Sequence, residues 1–327
     1  MIYKKSPAKI NLFLKILNTR ADGFHDLNSL MILINIFDEI LVEKSDKFSL
    51  EIAGEFANLV DINRNLLITI LSYFQQHFAI SSNLKIKLVK NIPVGAGLGG
   101  GSSNACQFMI ILNEIFNLNL SKSQLQKISF NFGCDIAFFF ENSPQIIAQK
   151  GDKLIKYPQE ISQLFGILIY PQINLSTKEV FKKFDLEKKF FDQNQNSHNS
   201  FFSNNSAIEF LENQISNLSI NQILELPNDL ENPALIIAPI IDEIKNNLIL
   251  NGAKISKMSG SGSSVFGIFD DQDSLQIAFI NLKKIYPDFF IKQFSNTALE
   301  AENLLTSPNS LAYAHTNFHK LEKPSST

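Results

Sequence analysis

Between Pro93 and Ser103 the chain reads P-V-G-A-G-L-G-G-G-S-S, and no other stretch restricts the backbone as strongly. Gly95, Gly97, Gly99, Gly100 and Gly101 supply the glycines; Ala96 and Leu98 are the side chains set between them, and Ser102 and Ser103 follow. Glycine reaches positive φ at little steric cost and lets backbone N–H groups approach a ligand closely. Upstream, Leu84 to Lys90 alternates apolar and basic residues, the pattern of a half-buried strand. Downstream, Asn104 to Phe116 places apolar side chains at helical spacing. A strand, a glycine loop and a helix in that order present unpaired N–H groups and the positive end of a helix dipole to an anion. Ser102 and Ser103 stand where hydroxyls cap the helix or reach a metal bound to phosphate. The pattern predicts a triphosphate cradle.

Other phosphate loops fit less well. Gly95, Gly97 and Gly100 spell G-x-G-x-x-G, yet a dinucleotide loop belongs to the first strand–helix unit and wants an acidic residue roughly 20 positions on. Here a long strand-rich region precedes the loop, and 119–124 looks like a helix start. A Walker loop needs Gly-Lys-Ser/Thr, and no lysine follows these glycines. The H-R-D and D-F-G motifs of protein kinases are missing. On the glycines alone, a purely structural turn remains the other reading.

The 327 residues suffice for one large or two moderate domains. With 45% hydrophobic and 19% charged residues the chain can bury a core, and a net charge of −3 argues against a nucleic-acid surface. Cys106 and Cys134 form no metal or redox motif and read as small buried residues. No secretory signal opens the chain and no run has the length of a membrane span. The expectation is a soluble cytoplasmic protein with no nucleic-acid partner and no membrane span.

In Ala8 to Leu17, Ile10, Leu12, Leu14 and Ile16 share one face of a strand, and Lys9, Asn11, Phe13 and Lys15 the other. Lys9 and Asn11 either line a site or belong to the solvated face of an edge strand. A turn at Asp22-Gly23 leads to strands over 27–36, 39–43 and 48–52, and a helix over 65–78 carries Leu66, Leu67, Ile70, Leu71 and Phe74 on one stripe. Ser121 and Gln124 form a capping box for a helix that runs to Gly133. Asp135 then enters an intensely apolar segment, where a carboxylate is functional or serves as a cap or ion-pair partner. A hairpin turns at 150–152, a strand covers 165–170 and a helix starts over 177–184. The low-complexity run 192–206 predicts a mobile loop. Helices are expected over 208–218, 221–226 and from Pro233, then strand, small-residue loop (259–263) and strand within 252–269, a helix over 275–285 and a strand over 289–294. Beyond Thr306 the polar composition predicts a disordered tail, in which His315 and His319 lack support as a metal site.

Three separated segments resemble the GHMP small-molecule kinase superfamily. They are P-A-K-I-N-L at 7–12 with A-D-G-F-H at 21–25, the glycine loop with G-C-D at 133–135, and M-S-G-S-G at 258–262. The first pair, with G-C-D-I-A-F-F, is similar to the branch acting on a cytidine diphosphate ester. The resemblance spans Ser6 to Phe294 and implies an α+β, two-domain GHMP-kinase fold with a cleft between the domains. The N-terminal ATP-binding domain (1–158) would be ribosomal-protein-S5-like α/β, the C-terminal domain (159–297) ferredoxin-like α+β, and 298–327 a terminal helix and tail. It implies ATP as donor at Pro93 to Ser103, Val94 included, Mg²⁺ held with help from Ser103, and transfer to a C2 hydroxyl in isoprenoid precursor synthesis. Asp135 resembles the catalytic base and Lys9 its lysine partner. His25 resembles the reader of the cytosine edge, Phe24 stands where the family has tyrosine, and Phe181 is a second stacking aromatic. Asn11, Gly260 and Gly262 would border the substrate. Ala137 replaces a usual proline. A monomer or weak homodimer is expected. The competing readings are another GHMP kinase or a non-catalytic nucleotide-binding protein; an oxidoreductase lacks the ribose-binding acid.

Overall fold

A computed structural model describes residues 1–194 and 214–296, with side chains to 188 in the first segment. The tail, with His315 and His319, and most of the expected 192–206 loop lie outside the described residues, as does 208–213 of the expected helix. Strand β1 (Ile2–Thr19) and strand β2 (His25–Lys44) form one long antiparallel hairpin. Where two strands were expected between 27 and 43 there is one, because β1 pairs along its length and register shifts absorb the irregular residues near Phe37. A second shift between Asn11 and Phe13 breaks strict alternation, so Leu12 and Phe13 are both in the core. Lys9 and Asn11 are only 5% and 4% exposed, so the solvated-edge alternative falls.

The opposite edge of β2 carries two strands end to end. β4 (Leu84–Val89) pairs with 39–44 and β5 (Gln145–Gln149) with 27–31. β3 (Ser49–Ala53) lies parallel to β4, and β6 (Lys153–Lys156) closes the β5 hairpin. Alternation then sorts the faces. Met31, Leu33, Ile40 and Val42 pack against α1 (Leu66–Phe78) and α2 (Gly100–Ile115) through Phe74, Phe108 and Leu112. Ile32 and Ile34 face the other way, into a core shared with Leu168, Tyr170, Phe266 and Phe294 of a second sheet. The capping box at Ser121 is present, but α3 (Lys122–Ser129) stops before the expected Gly133.

The second sheet is antiparallel in the order β10-β7-β9-β8, from β7 (Phe165–Tyr170), β8 (Ile255–Met258), β9 (Val265–Phe269) and β10 (Phe290–Ser295). Numbered within this half, that order is 4-1-3-2, the ferredoxin-like arrangement. Helix α4 (Thr177–Asn194) extends well past the predicted 184; α5 (Ile220–Glu225) and α6 (Glu231–Ile237), with Pro233 in its first turn, follow. The sequence reading passed over α7 (Ile240–Leu250), although Ile241, Ile244 and Leu248 have helical spacing. With α8 (Gln272–Ile285), helices α4, α6 and α7 cover Ile167, Ile169 and Val265 on the outer face of the second sheet, while Ile223 and Leu224 of α5 join the core between the sheets. The layers are helices, sheet, sheet, helices.

One buried ion pair fixes where the glycine loop leaves β4. Lys90 Nζ lies 2.5 Å from Asp38 Oδ2, with both residues buried, and also donates to the Ile92 carbonyl at 2.9 Å. The other Asp38 oxygen accepts from the Asn91 and Ile92 amides at 2.7 Å each. Burial pushes the Lys90 pKa down, and Asp38 opposes it. Removing one partner of such a pair leaves an unpaired buried charge, at a cost of ~3–5 kcal/mol. Asp38→Asn is therefore expected to lower urea-unfolding stability by that amount; a loss under ~1 kcal/mol would show the pair to be no more than a surface-type contact.

Candidate active site

Helix α2 begins at Gly100, with Gly99 as its N-cap at φ 68° and ψ 16°. Apolar spacing predicted a start at Asn104, because glycines give that pattern nothing to register. The earlier start places Ser102 and Ser103 inside the first turn. Ser102 lines the adjacent cavity, whereas Ser103 is fully buried and its hydroxyl has no hydrogen-bond partner among the described residues. Of the two hydroxyls, Ser102 is therefore the one that reaches the cavity wall, and Ser103, expected to help hold the metal, lies beneath it with its hydroxyl unpartnered among the described residues.

The loop's carbonyls are turned into the protein. Ala96 O accepts from Ser264 N at 3.3 Å and Leu98 O from Lys9 N at 2.9 Å. Gly97 O accepts from Lys9 Nζ at 2.8 Å and Ser259 Oγ at 3.0 Å. By contrast, none of the N–H groups from Gly95 to Ser102 donates to another group among the described residues. Unpaired N–H groups at a helix N-terminus form an anion site. Gly97 sits at φ 76°, and a Cβ there would lie 2.2 Å from Ser259 O. Gly101 is the opposite case: a Cβ there would meet nothing within 4 Å.

A cavity of about 1170 Å³ opens over this loop. Its wall brings together Lys9 and Asn11 of β1, Phe24 and His25 of the hairpin, and Asp135. Pro93 to Gly97, Gly99 to Ser102, Phe181 and Gly260 also line it. Leu98 does not; its side chain is buried in the core beneath the loop. Gly262 is not on the wall either, and its α-carbon faces Met258 and Leu175. Further wall residues from Leu59 to Leu66 escaped the sequence reading, since nothing in their composition marks a site.

Lys9 is held by acceptors on both sides. Nζ donates to Asn11 Oδ1 at 2.5 Å as well as to Gly97 O. Ser29 Oγ donates to Phe13 O at 2.6 Å, so it accepts from Asn11 Nδ2 at 2.8 Å. That leaves Oδ1 of Asn11 turned toward Lys9. Burial lowers the Lys9 pKa, and the negative charge of Asp135 opposes the shift. Asp135 was expected inside the apolar segment. It is exposed instead, in the first turn of a short 3₁₀ helix (Cys134–Phe140), and only Ile136 to Phe140 are buried. Lys9 and Asp135 make no ion pair within 4 Å; they share the wall, and Lys9 feels the carboxylate's field.

At His25 the structure adds a residue that sequence reading missed. The ring is 8% exposed, with Nε2 2.8 Å from Asp185 Oδ1. It packs on Phe181 at 4.9 Å between ring centroids and edge-on to Phe184 at 6.1 Å. Phe24 beside it is 61% exposed. Asp185 follows Phe181 by one helical turn on α4, a spacing that could have identified it. The loop bearing Gly260 is held by Asn228, whose Nδ2 donates to Met258 O at 3.0 Å and Gly260 O at 2.7 Å. Among the described residues no group of three or more His, Cys, Asp or Glu could hold a metal, and no helix is long and apolar enough to cross a membrane.

Comparison with known proteins matches this geometry. The GHMP kinases N terminal domain matches residues 65–142 and the GHMP kinases C terminal domain residues 207–288. A 4-diphosphocytidyl-2-C-methyl-D-erythritol kinase of Caldanaerobacter subterraneus subsp. tengcongensis is 31% identical over 296 residues, 90% of this chain and 98% of that protein. One of Clostridium botulinum (strain Alaska E43 / Type E3) is 34% identical over 287 residues, 88% of this chain and 98% of its own length. A solved 4-(cytidine 5'-diphospho)-2C-methyl-D-erythritol kinase superposes with a TM-score of 0.67 at 24% identity, covering 90% of this chain and 99% of that one. The L. major mevalonate kinase in complex with R-mevalonate gives 0.63 at 16%, covering 90% and 95%.

The two glycines separate fold from site. Gly97→Ala meets both a left-handed φ and the Ser259 carbonyl, and is expected to cost at least ~1–3 kcal/mol. Gly101→Ala lies in a helix and in open space, and should be neutral or stabilising by up to ~1 kcal/mol. Thermal unfolding of the two variants checks the contrast; equal losses would contradict it.

Proposed function

This chain belongs to the 4-diphosphocytidyl-2-C-methyl-D-erythritol kinase family of the GHMP kinases, and on that premise we propose how its cavity works and what it takes. The substrate is 4-diphosphocytidyl-2-C-methyl-D-erythritol, phosphorylated on its C2 hydroxyl by ATP to give the 2-phosphate and ADP, in the non-mevalonate route to isoprenoid precursors. The observation that carries the reading is the row of unpaired amides from Gly95 to Ser102 beside Lys9 and Asp135. Those amides and the positive end of α2 bind the ATP phosphates. Asp135, exposed on the wall, accepts the C2 hydroxyl proton as the new O–P bond forms and the bond to ADP breaks. Lys9, fixed by Asn11 and Gly97, offsets charge on the transferred group. Phe24 and Phe181 flank the base and His25 reads its edge.

When bound, Mg²⁺ neutralises phosphate charge. The wall offers it Ser102 and Asp135 rather than a cluster of ligands, which fits an ion arriving with the nucleotide. Two domains meeting near residue 158, a monomer or weak homodimer, and a cytoplasmic location without nucleic-acid partners complete the reading. The alternatives are another GHMP small-molecule kinase and a non-catalytic nucleotide-binding protein. ADP release from ATP and Mg²⁺ with the cytidyl ester, compared with mevalonate and homoserine, separates all three.

Asp135→Asn keeps the shape but removes the base, so kcat is expected to fall ~10²–10⁴-fold with little change in the KM for ATP. Lys9→Ala should also lower kcat, and the double variant should lose less than the product of the two losses. Near-normal kcat in Asp135→Asn, or losses that simply multiply, would remove the shared role. The pH profile adds a sign. A buried lysine with a lowered pKa loses its charge below the ordinary 10.5, so the alkaline limb of kcat/KM should lie below that value. Asp135 props the lysine up, so in Asp135→Asn the limb of the residual activity should move further down; a move upward would contradict the assignment.

A further inference from the structure

The cavity wall contains a hydrogen bond that phosphoryl transfer does not use, between Asp185 on α4 and His25 at the start of β2. A neutral imidazole has one donor nitrogen and one acceptor nitrogen, and the partner of one decides the role of the other. An ionised carboxylate only accepts. Asp185 Oδ1 therefore takes a proton from Nε2, at 2.8 Å, and the neutral ring must keep its lone pair on Nδ1. Nδ1 has no partner among the described residues, and His25 lines the cavity. The ring cannot swing freely, since it is buried against Phe181 and edge-on to Phe184, one turn and one residue before Asp185 on the same helix.

We propose that Asp185 is a positioning residue for nucleobase choice: by fixing the Nε2–H tautomer of His25 it leaves Nδ1 as an acceptor for an exocyclic amine. Cytosine offers such an amine at C4. Uracil has a carbonyl oxygen there, which would set a lone pair against a lone pair. The site thus discriminates cytidine from uridine diphosphate esters through a carboxylate that need not touch the base. This rests on the reading of His25 as the base reader and goes beyond it by naming the group that sets its polarity.

The variant that tests this most sharply is Asp185→Asn. Its amide can turn to donate to Nε2, which moves the ring proton to Nδ1 and makes that atom a donor. The cytidyl ester and its uridyl counterpart would be compared in wild type, Asp185→Asn, Asp185→Ala and Asp185→Glu, with ATP and Mg²⁺. In Asp185→Asn and Asp185→Ala the expected result is a KM for the cytidyl ester raised about tenfold, with kcat and the KM for ATP nearly unchanged. The cytidyl-to-uridyl ratio of kcat/KM should collapse by at least the same factor, and Asp185→Glu should restore it in part. An unchanged ratio in both Asp185→Asn and Asp185→Ala overturns the proposal, as does a loss shared equally by kcat and both substrates' KM values. ¹⁵N spectra of the imidazoles in the full chain give a readout independent of turnover. His25, assigned by its absence from His25→Ala, should show an Nε2–H ring in wild type and a shifted tautomer balance in Asp185→Ala. The same balance in both proteins overturns the positioning role. A normal cytidyl KM in His25→Ala, with the tautomer shift present, instead refutes His25 as the base reader, which keeps the two failures apart.

Discussion

The carbonyl oxygen of Gly97 is where three distant parts of the chain meet. It accepts from Lys9 of β1 and from Ser259 in the loop after β8, while its own glycine lies too close to Ser259 O to carry a side chain. The neighbouring carbonyls of Ala96 and Leu98 are likewise taken, by Ser264 and by the Lys9 amide. A peptide unit whose carbonyl is fixed toward the protein has its N–H fixed too, and here those N–H groups are left for a ligand. The anion site is thus a consequence of how the two sheets are joined, and it is assembled before any ligand arrives. Preorganised donors of this kind need no rearrangement at the moment of reaction, which is where their catalytic advantage lies.

Three ammonium groups are buried around the junction of the two sheets. Lys9, Lys90 and Lys257 are all buried, and each spends protons on backbone carbonyls. Only Lys90 has a carboxylate in contact, Asp38. Burial brings the Lys257 pKa down to about 8, with Glu231 opposing, while Nζ ties Leu12 O of β1 to Leu226 O. Burying ammonium groups costs stability. An anion bound in the cavity that Lys9 and Lys90 line would recover part of that cost, because whatever binds only the folded chain shifts the equilibrium toward it.

Much of this was legible in the sequence, wherever the signal was local. The glycine run, the capping box at Ser121, the hairpin at 150–152 and the strand–loop–strand around 259–263 depend on residues near one another, and each formed as read. The early start of α2 was hidden because glycines carry no periodicity, and that start sets Ser102 on the cavity wall and Ser103 beneath it. β2 was read as two strands, over 27–36 and 39–43, and the residues left between them include Asp38, the buried partner of a lysine far along the chain. Asp135 was placed among the phenylalanines that follow it, although one step of a 3₁₀ helix turns it out to the cavity. Asp185 gave only the weak signal of lying one helical turn after Phe181, since its contact is with His25, far away in sequence.

Two parts of the cavity wall are built by unlike means. The loop offers backbone amides, which any residue would supply provided the glycines permit the approach, so this part of the wall is suited to recognise charge and geometry alone. The wall around His25 is built instead from side chains on two elements, the β1–β2 hairpin and α4, which touch through the His25–Asp185 and His25–Phe181 contacts. Substitutions there leave the carbonyl junction at Gly97 intact. A fold organised this way can exchange one acceptor substrate for another without disturbing the donor site. That separation gives a physical account of why a mevalonate kinase at 16% identity shares the architecture. If His25 reads the base as proposed, what distinguishes this chain from such a relative lies in the side chains around His25 rather than in the glycine loop.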